Sequence, residues 1–134
     1  MNRHWENPEV LSIGRLPARS SFISSGKKID LNGQWQFKWS KSLENADKWF
    51  KGKDEGWLDV NVPSLWTMDQ RISEDQPIYT NVLLPFNGEP PSVPKNTIGF
   101  YKKKFTIKKK YIKKRWVIFL GGIENCFFLY CNNQ

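Results

Sequence analysis

Leu31-Asn32-Gly33-Gln34-Trp35-Gln36-Phe37-Lys38-Trp39 is the stretch that decides the fold class. Leu31, Gly33, Trp35, Phe37 and Trp39 take every second position, and Asn32, Gln34, Gln36 and Lys38 take the positions between. Successive side chains of a strand point to opposite faces, so this strict alternation predicts a half-buried strand with an aromatic inner face. Downstream, Trp57-Leu58-Asp59-Val60-Asn61-Val62 alternates in the same way and stops at Pro63, which has no amide hydrogen to give a ladder. Apolar runs at 99–107, 116–120 and 125–131 predict three more strands. Residues 40–56 contain Ser42, a helix-capping residue type, followed by Leu43, Ala46, Trp49 and Phe50 at helical spacing. They predict a short helix or turn ending at Gly52. Residues 63–98 hold prolines at 63, 77, 85, 90, 91 and 94 and little periodicity, which predicts a long ordered loop of the kind that carries function. Residues 1–29 lack a sustained period and read as an extended arm. Strands separated by turns, with no alternation of strands and helices, predict an all-β sandwich.

The composition agrees with that class. The chain has 134 residues, a one-domain length, and its seven Trp, nine Phe and four Tyr suit wide apolar faces better than a helical bundle. No apolar run reaches the ~20 residues of a membrane helix, and Met1-Asn2-Arg3-His4 leads into no signal-peptide core, so the expectation is a cytoplasmic protein with no membrane partner. Cys126 and Cys131 are five apart in an expected strand, on opposite faces, and read as reduced packing residues rather than a disulfide.

The formal net charge of +8 is local. Residues 102–115 carry nine Lys or Arg and no acid. Beside Phe100, Tyr101, Phe105, Tyr111 and Trp116, this block has the makings of a nucleic-acid surface. The alternation of Phe105 and Ile107 with Thr106 and Lys108 favours two strands with a lysine-rich solvent face and turn, and hence no nucleic-acid partner.

Few residues suggest catalysis. His4 is the one histidine, so Ser-His and Cys-His pairs are unpersuasive. Gly121-Gly122 precedes an expected strand and not a helix, which is the wrong context for a phosphate loop. Most of the acids lie among lysines or in polar stretches, as solvated acids do, and Glu124 stands alone in an apolar junction. Trp35, Trp39, Trp57 and Trp66 have the flat faces that sugars stack on, but at alternating strand positions they read as core.

Six motifs in order give the chain a family. They are Trp5-Glu6-Asn7-Pro8, the Leu31–Phe37 run, Val62-Pro63-Ser64-Leu65-Trp66, Pro77-Ile78-Tyr79-Thr80-Asn81-Val82, Gly99-Phe100-Tyr101, and Phe119-Leu120-Gly121-Gly122-Ile123-Glu124-Asn125-Cys126-Phe127. From about Trp5 to about Asn132, the chain resembles the amino-terminal part of the large bacterial β-galactosidases of glycoside hydrolase family two. The resemblance implies a jelly-roll sugar-binding domain over 30–134, preceded by a docking arm over 1–29. A jelly roll wants about eight strands, so the five expected here, and the end at Gln134, read as an incomplete domain.

The implied parent activity is hydrolysis of terminal non-reducing β-D-galactosides such as lactose, with retention. Retention needs two carboxyl groups about 5–5.5 Å apart. In the family these glutamates lie on a later barrel domain, beyond residue 134, so no catalytic residue is expected in this segment. Asn81 is its expected substrate-binding residue, reaching the galactose pocket from the Ile-Tyr-Thr-Asn-Val motif, with Tyr79 and Val82 packing to position it. Read from the residues alone, Asn81 is an asparagine capping a turn. Family members use magnesium and sodium, whose ligands map onto no residue here, so no cofactor is expected on this segment. The implied partners are the β-galactoside, the rest of the chain with its catalytic barrel, and further subunits of a homo-oligomer supported by the arm, whose Trp5, Val10, Leu11, Ile13, Leu16 and Phe22 suit docking. Two departures touch substrate preference: Leu65 stands where asparagine is common, and Arg71-Ile72-Ser73-Glu74-Asp75 is longer than usual before Pro77. Alternative readings are a free-standing carbohydrate-binding module and a basic nucleic-acid-binding β-domain.

Overall fold

The computed structural model describes residues 4–41, 55–72, 76–77, 97–124 and 126–132. The chain divides into two compact units, Leu31–Lys104 and the pair of segments Met1–Asp30 and Phe105–Gln134. The expected helix or turn over 40–56 lies almost wholly outside the described residues, as does most of the expected loop over 63–98.

The Leu31–Lys104 unit is an open, all-β antiparallel sheet. Its strands are β1 (Gly33–Ser40), β2 (Leu58–Val62) and β3 (Ile98–Lys102), in the order β2-β1-β3. β1 enters at Gly33 with φ of +94°, a conformation that a residue with a Cβ resists. Just before it, the Trp35 indole N–H donates to the Leu31 carbonyl at 2.6 Å, tying the entry to the strand. Register then follows the alternation. Trp35 lies opposite Val60, and Phe37 lies opposite Leu58 on one side and Tyr101 on the other. Phe37, Val60 and Ile72 are buried, and Trp35, Trp39, Leu58 and Trp66 pack around them. The inner face expected of β1 is the one the core uses.

Phe37 is the centre of that core, fully buried, with ring centroids 5.5 Å from Trp66 and 4.9 Å from Tyr101. Gly99 sits against the same ring: a Cβ there would lie 3.0 Å from Phe37 Cε2 and 3.3 Å from Trp66 Nε1. Phe37 is fully buried, so its ring must shift against its packed neighbours to admit a methyl group. We expect Gly99→Ala to lower stability by about 1–3 kcal/mol, the usual range for overpacking, read as a lower urea midpoint at unchanged slope. An unchanged midpoint would show that the ring has room.

Several expectations need correction. Trp57 is half-buried but is not among the tryptophans packed on the core. Its ring lies beneath two ammonium groups, Lys38 Nζ at 5.2 Å and Lys102 Nζ at 5.3 Å, so its contact is cation–π. The strand expected over 99–107 ends at Lys102. Register would next bring β3 toward Gln34, but the Gln34 carbonyl accepts from the Lys103 ammonium at 2.7 Å, and that ammonium sits 5.9 Å from the Trp35 ring. A side chain has taken an acceptor at the end of the ladder.

The segments 116–120 and 125–131 are not strands among the described residues. Val117, Ile118, Phe119 and Leu120 are each 37–43% exposed, and Phe127 to Tyr130 are 41–55% exposed. Consecutive apolar positions suit strands covered on both faces, and a strand forms only where a neighbour takes its backbone hydrogen bonds. Cys126 and Cys131 are free thiols, and both are exposed instead of serving as packing residues. Three strands stand among the described residues where five were expected.

The other unit has a different character. The arm begins with a 3₁₀ turn at His4–Glu6, and Trp5 meets Phe128 edge-on at 6.1 Å. Phe22 stacks on Phe119 at 6.0 Å and 24°. Leu11 and Ile23 are 86% and 93% exposed, whereas Val10 and Ile29 are half-buried, so the arm's aromatic residues make its ring contacts while several of its aliphatic ones remain open.

Candidate functional site

Asn81, together with Tyr79 and Val82, lies outside the described residues. The described chain nevertheless shows how the segment leading to that motif is fixed. β2 ends at Val62, and a cis Val62–Pro63 bond turns the chain off the sheet. The Ser64 hydroxyl donates to the Asn61 carbonyl across this turn. A 3₁₀ turn, Trp66–Met68, follows, with Trp66 docked on Phe37. Next, the Ile72 amide donates to the Asp69 carbonyl at 2.9 Å, and the Ile72 side chain is completely buried. Trp66 and Ile72 therefore pin the chain to the core on both sides of the Asp69 turn.

Asp69 and Arg71 build the polar part of this turn. The Arg71 guanidinium forks onto the carboxylate, with Nε donating to Oδ1 at 2.9 Å and Nη2 to Oδ2 at 2.6 Å. The Arg71 backbone amide donates to Oδ1 at 3.0 Å, and Nη2 also reaches the Asp59 carbonyl on β2 at 3.0 Å. The bidentate fork fixes orientation as well as charge. These side-chain bonds from Arg71, followed by its backbone bond, hold the Asp69 carboxyl down at about 2. A lowered folded-state pKa makes the interaction fully present above the ordinary value of 3.8 and lost as pH falls through about 2. The expected NMR titration midpoint of the Asp69 carboxyl is therefore near 2, moving up toward 3.8 in Arg71→Ala. A midpoint near 3.8 in the unaltered chain would contradict the fork.

The turn and the sheet edge enclose an open concavity of about 530 Å³, lined by Gln34, Asn61, Ser64, Leu65, Asp69 and Arg71 among others. Gln34 and Asn61 are register partners, which brings their two amides side by side. Leu65, where the family resemblance led to an asparagine, is 55% exposed and adds an apolar patch to this lining. Amides, a hydroxyl and an ion pair around an apolar patch are polyol-compatible chemistry, although Arg71 and Asp69 already satisfy each other. Sequence reading singled out Arg71 only as part of a lengthened stretch. The signal present was an acid two residues before an arginine in a turn, Asp69-Gln70-Arg71.

Among the described residues, no group of three or more His, Cys, Asp or Glu is placed to hold a metal ion. No helix among them is long and apolar enough to cross a membrane.

Comparison of the sequence with known proteins gives the chain a family. Residues 28–134 match the family described as glycosyl hydrolases family 2, sugar binding domain. The chain belongs to that family. As a member of glycosyl hydrolase family 2, it is similar to the β-galactosidase of Photobacterium profundum, with 33% identity over 147 residues, covering 98% of this chain and 14% of that protein. The β-galactosidase of Pseudoalteromonas haloplanktis is 34% identical over 150 residues, with the same two coverages. That of Vibrio cholerae serotype O1 is 30% identical over 149 residues, covering all of this chain and 14% of its own length. The family 2 chain thus spans about one-seventh of the curated relatives it matches. No solved structure matches it significantly.

Proposed function

We propose that this chain is the amino-terminal sugar-contacting segment of a β-galactosidase that hydrolyses terminal non-reducing β-D-galactosides with retention. The observation that carries the reading is the match to the family 2 sugar-binding domain across 28–134, joined to relatives named β-galactosidase that cover nearly the whole chain. In this reading the segment contributes Asn81 to the galactose pocket and the arm to assembly of a homo-oligomer. The catalytic carboxylates come from a barrel domain in the remainder of the chain, and the protein works in the cytoplasm. Magnesium and sodium serve the parent enzyme through ligands outside this segment.

Asn81 suits its role chemically. Each sugar hydroxyl both donates and accepts, and a carboxamide offers one acceptor and two donors, so one side chain serves two adjacent hydroxyls. In the proposed geometry the Asn81 amide fixes the galactosyl ring while the carboxyl pair acts on its anomeric carbon. The Trp66 and Ile72 anchors hold the start of the segment that presents it.

The test is Asn81→Ala in the full-length protein. We expect kcat/KM for a terminal β-galactoside to fall about 2- to 12-fold for each hydrogen bond lost, each being worth about 0.5–1.5 kcal/mol. Unfolding should be unchanged. A variant with unaltered kcat/KM would remove Asn81 from the pocket.

A further inference from the structure

The basic block contains the expected lysine-rich turn, ordered by hydrogen bonds that the sequence pattern does not show. Its second half, 108–115, forms no strand and folds into consecutive tight turns. Lys109–Tyr111 is a 3₁₀ turn, closed by the Tyr111 amide donating to the Lys108 carbonyl at 2.8 Å. The Lys114 amide donates to the Tyr111 carbonyl at 3.0 Å, and the Trp116 indole N–H reaches the same carbonyl at 3.1 Å. Around this knuckle, Lys108, Lys109, Lys110, Lys113, Lys114 and Arg115 are all exposed, and none is ion-paired with a described residue. Six like charges on eight residues repel one another, and an ordered turn holds them together.

We propose that this turn is a sequence-independent contact for the phosphate backbone of a nucleic acid. Duplex DNA carries about one negative charge per 1.7 Å of axis, a linear density suited to so compact a set of cations, and each neutralised phosphate releases condensed counterions. The aromatic residues define the mode. Tyr111 is half-buried with Lys110 Nζ 5.0 Å from its ring, and the half-buried Trp116 is tied to the Tyr111 carbonyl. Neither ring of the turn is presented for stacking on bases, and Phe105, which is exposed, lies outside the turn, so recognition by the turn falls to charge. The same inward placement disfavours a membrane surface, where Tyr and Trp supply the interfacial anchor, and leaves Ile112 as the turn's one exposed aliphatic group. The proposal departs from the expectation of no nucleic-acid partner, because that expectation rests on strands over 99–107 and 116–120 flanking a lysine-rich turn, and β3 ends at Lys102 while 116–120 forms no strand. It is independent of the galactosidase reading.

The experiment is fluorescence anisotropy of a labelled random-sequence duplex titrated with the full 134-residue chain. For six phosphate contacts, the affinity should fall about a thousandfold between 50 and 200 mM salt. K109E/K113E should weaken binding at 50 mM salt by at least about tenfold and flatten the salt slope. K27E/K28E makes the same change in net charge at exposed lysines outside the turn, and should leave affinity within about twofold. Circular dichroism of both variants, expected to match the parent, checks that each folds. Equal losses in the two variants would assign binding to overall charge and overturn the proposal. So would absence of binding at 50 mM salt, or binding to phosphatidylglycerol vesicles but not to the duplex.

Discussion

Phe37→Ala is expected to destabilise the Leu31–Lys104 unit by about 3–5 kcal/mol, the range for emptying a large aromatic site in a packed core. Phe37 is completely buried on the middle strand of the sheet, with Trp66 and Tyr101 on its ring. Truncation removes its own transfer free energy and also strips contacts from both neighbours. Collapse into the space is hindered because Trp66 is held by its 3₁₀ turn and Tyr101 by the register with β1. Small domains are stable by only about 5–15 kcal/mol in all, so this loss is a large fraction of the total. It should appear as a sharply lower urea midpoint, with loss of the aromatic near-ultraviolet signal at lower denaturant. A cost below about 1 kcal/mol would mean that the ring cluster is not the organising core.

The second large effect is an absence of turnover. The 134-residue chain alone is expected to hydrolyse no β-galactoside above background, because enzymes supply at least about 10⁶-fold and a glycosidase obtains it from a matched carboxyl pair. Asp59 and Asp69 share the concavity and invite the comparison. Asp69, however, is held at about 2, which bars it from the general-acid role, and both of its carboxylate oxygens are already engaged by Arg71, which leaves neither free to attack an anomeric carbon. The proposed catalytic pair therefore belongs to the remainder of the protein. Assay of a chromogenic galactoside with the purified chain decides the matter. Turnover that co-purifies with the chain and disappears in Asp69→Asn would place chemistry in this concavity and refute the assignment.

How much was legible beforehand depends on where each interaction originates. β1 and β2 were readable because alternation is a local property, and Trp35, Phe37 and Trp39 turn inward as their spacing requires. The end of β3 was not readable, because it depends on Lys103 reaching a carbonyl 69 positions away in sequence. Trp57 was legible and misread: alternation sets it with Asp59 and Asn61 on the face opposite Leu58 and Val60, and there Lys38 and Lys102 meet its ring. Segments 116–120 and 125–131 have the apolar content of strands, but content alone does not supply the neighbouring backbone that makes a ladder. At the candidate site, the Asp69–Arg71 fork was accessible only through the turn geometry that folds the two together, while Asn81, expected from the family motif, lies outside the described residues.

The measurement that tests the central claim most directly is the intact mass of the native product from its source cells, taken with its galactose release from lactose. The account predicts a polypeptide several times longer than 134 residues, with peptides continuous through Gln134, that releases galactose with retained anomeric configuration. A long native product containing this segment that leaves β-galactosides untouched would contradict it.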